Sequence, residues 1–133
     1  MQKMLRFLLA ALCIVSLGAS AQQATRPPRV SIIQLIATPE QFDGKEVWVS
    51  GYLQLEPEDT WLFLHRDDAV NGLTQNALWI NQDSKYVAEH TDEINCHYVD
   101  VAATFKANDK ARPHPQRGTL HTIKGIMRVP GGT

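Results

Sequence analysis

Residues 43–64, DGKEVWVSGYLQLEPEDTWLFL, decide how this chain folds. Asp43-Gly44 supplies a turn that tolerates positive φ. From 45 to 55 the side chains alternate: Val47, Val49, Gly51, Leu53 and Leu55 share one face, and Glu46, Trp48, Ser50, Tyr52 and Gln54 share the other. A period of two is that of a strand with one face toward a core. Gly51 interrupts the apolar face at mid-strand. A glycine there marks a bend or bulge, which lets a long strand curl between two sheets. Residues 56–59 make an acidic turn around Pro57, and residues 60–65 form a second strand, so the stretch reads as a hairpin.

Upstream, Ser31 is an N-cap for a short helix whose stripe is Ile32, Leu35 and Ile36. It ends by Thr38, because Pro39 disfavours the helical conformation in the residue before it. Downstream, residues 66–74 form a loop or one helical turn, and residues 77–81, ALWIN, a short third strand. Asp83 or Ser84 caps a helix whose inner face is Tyr86, Val87 and His90 and which ends near Ile94. Residues 97–106 alternate again, with His97, Val99, Val101, Ala103 and Phe105 on one face. Pro113 and Pro115 make residues 107–118 a polar loop, and residues 119–129 form the fifth strand.

The first 21 residues have the form of a secretory signal: Lys3 and Arg6, an apolar run from 7 to 17, and small residues Ala19 and Ala21 before an expected cut. The run is short of the roughly 20 residues that span a bilayer, so no stable membrane anchor is expected. Cys13 follows Leu12 and lies inside the run, which does not suit a lipidation site. The expected organisation is signal peptide 1–21, polar linker 22–29, one domain 30–129 and a tail 130–133. The mature chain holds one cysteine, Cys96, so it cannot close an internal disulfide. It must rely on its core, and about 110 residues can supply one. The expected compartment is the periplasm or the exterior.

Charge is unevenly spread. Residues 40–95 carry 12 acidic and 3 basic side chains, a net of −9, and residues 96–133 carry 2 acidic and 6 basic, a net of +4. Nucleic acid is an unpromising partner, since phosphate neutralisation needs clustered positive charge.

Five strands, a short N-terminal helix and a helix between strands 3 and 4 describe an all-β domain with minor α. GKEVWVSGYL, residues 44–53, resembles the G-K-x-V-x-V-x-G opening of many OB domains. Residues 30–129 are similar to uncharacterised exported bacterial OB-fold-like domain proteins. The shared features are a helix ending in a proline and a turn (VSIIQLIATPEQFDG), an NALW-type third strand, and a last strand, GTLHTIKGIMRV, that departs in part from their pattern. The resemblance implies a five-stranded Greek-key OB-like barrel. It implies no activity, because fold does not fix function.

The outward aromatics Trp48 and Tyr52, with Trp61 on the hairpin partner, are the candidate ligand or partner face, because exposed aromatics stack on ring systems or anchor proteins. The competing expectation is that the N-terminal helix or residues 82–95 cover them. His65, His90, His97, His114 and His121 fall in no metal-binding motif, and Cys96 and His97 point to opposite strand faces, so no metal and no cofactor are expected. His97 and His121 each fall on the apolar face of their strands, a placement that would let them meet across a barrel. Glu56, Glu58, Asp59, Asp67 and Asp68 lack the spacing of a calcium loop. Gly-x-Ser-x-Gly and phosphate-cradling glycine loops are absent, and Cys96 would need an activating base on its own strand face to act as a nucleophile. The expectation is therefore a non-enzyme: a monomeric or weakly associating exported module that binds a protein or small ligand. The alternative is a periplasmic inhibitory, immunity-type protein that blocks a partner with its acidic surface.

Overall fold

A computed structural model describes residues 26–57, 59–81, 85–107 and 118–132. The expected signal peptide, the start of the linker, Glu58, the Asp83/Ser84 cap, the Tyr86 side chain, His114, most of the 107–118 loop and Thr133 lie outside the described residues.

The chain opens on α1 (Ile32–Ala37), where Ser31 and Gln34 cap each other: the Gln34 amide donates to Ser31 Oγ at 3.1 Å and the Ser31 amide to Gln34 Oε1 at 3.0 Å. Six residues do not hold a helix in water, so its place is fixed by burying Ile32 and Leu35. A 3₁₀ turn beginning at Pro39 and Gly44 at φ +72° then turn the chain into β1 (Glu46–Leu55).

β1 makes two partnerships. Glu46 to Leu53 pair with β4 (His97–Lys106), and Tyr52 to Leu55 pair with β2 (Thr60–Phe63), both antiparallel. The strand changes partners just past Gly51, the bend expected from the sequence. β2 pairs with β3 (Ala77–Ile80), and β5 (Thr119–Arg128) lies parallel to β3 at Trp79–Thr119 and Ile80–Leu120 and antiparallel to β4. The order β1-β2-β3-β5-β4 closes into a barrel. This is an OB-like barrel.

The interior follows the alternation. Val47, Val49, Leu53, Leu62, Leu78, Ile80, Val99, Val101, Phe105 and Leu120 are at most 1% exposed, and α1 contributes Ile32 and Leu35 to the same core. The expected helix between strands 3 and 4 is two short ones, α3 (Lys85–Glu89) and α4 (Thr91–Ile94), which bury Val87 and Ile94 in that core. The break falls at His90, which stands at the N-cap position of α4 without a side-chain cap bond and is half-buried; of the expected inner face, Tyr86, Val87 and His90, it is Val87 that is buried, and Ile94 shares the core with it. Of the loop or single helical turn expected at 66–74, the helical alternative holds for α2 (Arg66–Val70).

Buried Asp68 fastens α2. Its Oδ2 accepts the His65 amide at 3.1 Å and its Oδ1 accepts Asn76 Nδ2 at 2.8 Å. Asp68→Ala removes the acceptor of two donors in a part-buried setting and should cost about 1–2 kcal/mol. Urea unfolding checks this; an unmoved midpoint would refute the fastening role.

β4 and β5 slip register between Ala102 and Thr104, where β5 bulges and Thr122 takes φ +48°. The pairing corrects the sequence reading of His121, which is not on the inward face of β5. Leu120 takes the inward position opposite Phe105, and His121 lies opposite Thr104, while His97 lies opposite Leu53 at the other end of β4. The two imidazoles do not meet across the barrel.

Candidate ligand cleft

Trp48, Tyr52 and Trp61 all point away from the barrel interior, as their alternation requires, but they do not form one open face. Tyr52 and Trp61 are 8% and 7% exposed and belong to a second apolar cluster with Phe63, Ala77 and Trp79. Ala69 of α2 and Tyr98 of β4 pack against this cluster, and the Tyr98 ring meets Tyr52 edge-on at 5.4 Å. The covering helix is therefore α2, in neither of the places that the sequence suggested. The outer surface of strands 2 and 3, where OB domains hold oligomeric ligands, is here filled by the chain's own rings. Phe63 and Trp79 complete the cluster; their period-two placement on β2 and β3 was the available signal.

Trp48 stands apart, half-buried beneath the Arg29 guanidinium at 5.8 Å from the ring centre. The end of the linker is docked rather than loose. The Trp48 amide donates to Pro28 O at 2.9 Å and the Val30 amide to Trp48 O at 2.8 Å. The reason is local: β2 joins β1 only from Tyr52 onward, so the edge of β1 at Trp48 is available to residues 28–30. Arg29 also reaches Asp100 Oδ2 at 3.1 Å, and Asp100 Oδ1 accepts the Ser50 hydroxyl. Burial raises the Asp100 pKa, but the Ser50 and Arg29 hydrogen bonds and the Arg29 charge outweigh it and hold the carboxyl below its ordinary 3.8. A depressed acid contributes stability above its ordinary pKa and loses it as the pH falls through the folded value. Acidification below 3.8 should therefore cost the native chain slightly more stability than an Asp100→Asn variant. Arg29 is 67% exposed, which keeps the difference under about 1 kcal/mol. Urea midpoints measured across that range test it; parallel curves would contradict it.

A cleft opens at the mouth of the barrel, where the β1–β2 loop meets α3 and α4. Its volume is about 360 Å³, and Leu55, Glu56, Pro57, Thr60, Val87, Ala88 and Thr91 line it. Leu55 packs on the core and Val87 is part of it, so the floor is the exposed end of the barrel's own apolar interior. Several walls are held in place by hydrogen bonds. The Leu55 amide donates to Asn95 Oδ1 at 2.9 Å, the Glu56 amide to Asp59 O at 2.8 Å, and Gln54 Nε2 to Glu56 Oε1 at 2.7 Å. Thr91 Oγ1 donates back to Val87 O at 3.0 Å. Small-molecule sites have this form: concave, largely apolar, of a few hundred cubic ångströms, with few polar groups. A second hollow, about 470 Å³, lies between α4 and β5 along His90, Glu93, Ile94, Ile126, Met127 and Arg128.

Cys96 is exposed at φ +58°, with its amide bonded to Leu53 O at 2.9 Å. Among the described residues, no three His, Cys, Asp or Glu side chains are grouped to hold a metal ion. Among them, too, no helix is long and apolar enough to cross a membrane.

No known protein family and no curated protein matches the chain. Among solved structures it is similar to a proposed aspartyl-tRNA synthetase from Leishmania major Friedlin, at 17% identity and a TM-score of 0.46. The match covers 83% of this chain and 22% of that one.

Proposed function

We propose that the chain is a non-catalytic, exported OB-like binding module for a small ligand or an apolar side chain of a protein partner, seated in the cleft between the β1–β2 loop and α3. One observation carries the reading: Leu55 and Val87, parts of the core wall, form the floor of an opening of about 360 Å³. Apolar surface left at the mouth of a barrel gains from an apolar occupant by roughly 25 cal/mol per Å² removed from water. The net −9 of residues 40–95 argues against a phosphate backbone as that occupant. Export rests on the basic, apolar and small-residue pattern of residues 1–21.

The test is thermal unfolding of the mature chain, residues 22–133, with and without 1-octanol. Binding to the folded state raises the midpoint by mass action. Ala88 is exposed on α3 and lines the cleft, so Ala88→Trp fills the opening without touching the core. The expected result is a rise in the native chain and none in the variant. Equal responses in the two would overturn the assignment of the site.

A further inference from the structure

We propose that the hollow between α4 and β5 is a second binding site, and that it takes a zwitterion on an apolar body: a short peptide of apolar residues with both ends free. It shares no lining residue with the cleft at the β1–β2 loop, so it stands independently of that reading.

The two halves of the chain carry opposite charge, and here they face each other. α4 belongs to the stretch 40–95 with its net of −9, and β5 to the stretch 96–133 with its net of +4. On the α4 wall Glu93 is exposed, next to exposed Asp92; on the β5 wall Arg128 is exposed. Glu93 and Arg128 line the same space, yet no ion pair joins them, and among the described residues neither side chain is engaged with another charged group.

The rest of the lining is largely apolar. Ile94 and Ile126 belong to the core and back the hollow, and Met127, on the outward face of β5, is 53% exposed. An unbranched thioether adapts its shape to what it covers. His90, half-buried at the break between α3 and α4, completes the lining. The volume, about 470 Å³, falls within the roughly 300–1,000 Å³ of small-ligand sites.

Oppositely charged walls disfavour a ligand of single charge. An ammonium alone gains from Glu93 and is repelled by Arg128, and a carboxylate alone meets the reverse. A ligand with both, at the two ends of an apolar body, gains on each wall at once, and its carboxylate can take two parallel bonds from the guanidinium. An extended dipeptide holds its two charges up to roughly 7 Å apart, with its side chains between them for the apolar lining.

Four ligands with the same side chains separate the charges: leucyl-leucine, its N-acetyl derivative, its C-terminal amide and the doubly capped peptide. Each is titrated into the mature chain at neutral pH and low salt, and affinity is read from amide correlation spectra. Saturable shifts are expected at Ile94, Ile126, Met127 and Arg128. Leucyl-leucine should bind most tightly, and each cap should weaken binding about threefold, the size an exposed ion pair allows. In Arg128→Gln the C-terminal amide should cost nothing further while the acetyl cap still weakens binding, and in Glu93→Gln the two effects should exchange. Both side chains are exposed, so neither change disturbs the fold. A doubly capped peptide that binds as well as the free one, cap effects unchanged in both variants, shifts centred on other residues, or no saturable shift with leucyl-leucine would each overturn the proposal and leave the cleft reading untouched.

Discussion

Gly51→Val should prevent the barrel from forming, and Gly51→Ala should cost about 3 kcal/mol, at the upper end of what overpacking takes. A Cβ at this position would lie 2.6 Å from Phe63 O, 2.8 Å from Ile32 Cδ1 and 2.8 Å from Leu62 Cγ. The two side chains can shift, but the carbonyl is part of β2 and cannot withdraw without breaking the sheet. Gly51 also sits where β1 passes from β4 to β2, so the same methyl opposes the curl that lets one strand serve both neighbours. Urea unfolding of the alanine variant reads the cost. A midpoint equal to that of the native chain would mean that the bend does not need the close approach of β1 to β2.

Phe105→Ala should lose about 3–5 kcal/mol, as deletion of a buried ring does elsewhere. Phe105 is fully buried, and its ring lies under Gly118, where a Cβ would come within 2.2 Å of Phe105 Cε2. The ring therefore packs against the backbone just before β5, whose parallel seam with β3 closes the barrel in only two residue pairs. Its removal leaves a cavity beside the shortest seam of the sheet. Phe105→Leu should recover much of the loss. A cost below about 1 kcal/mol, read from the same unfolding curves, would show that the seam holds without the ring.

Much of this architecture was legible because it is local. The alternation of Val47, Val49 and Leu53 identifies the inner face of β1, Gly51 marks its bend, and Val99, Val101 and Phe105 do the same for β4; all face the core. Ser31 and Pro39 bracket α1 by chemistry within a few residues. What depends on distant partners was not legible. The outward rings of Tyr52 and Trp61 read as a ligand face or as a surface covered by another element, and which element covers them was not legible, because nothing in residues 66–74 shows that Asp68 will be drawn in by Asn76 and hold a helix against them. In β5 the alternation is ambiguous in the sequence: Leu120 and Ile126 face the core, whereas His121 lies opposite Thr104 on the other face. The cleft is the least visible element of all. Leu55 and Thr91 belong to different elements far apart in the chain, and only barrel closure brings them to one opening. A faint signal lay in Val87 and Thr91, four residues apart and therefore on one side of a helical stretch beside an acidic, proline-containing loop.

The direct test of where this protein binds is residue-resolved. Amide correlation spectra of the mature chain, titrated with 1-octanol, should show saturable shifts centred on Leu55, Glu56, Thr60, Val87, Ala88 and Thr91. Shifts centred instead on Trp48, Tyr52, Trp61 and Trp79, with the cleft amides unmoved, would contradict the account and return the binding face to the outer wall of the barrel.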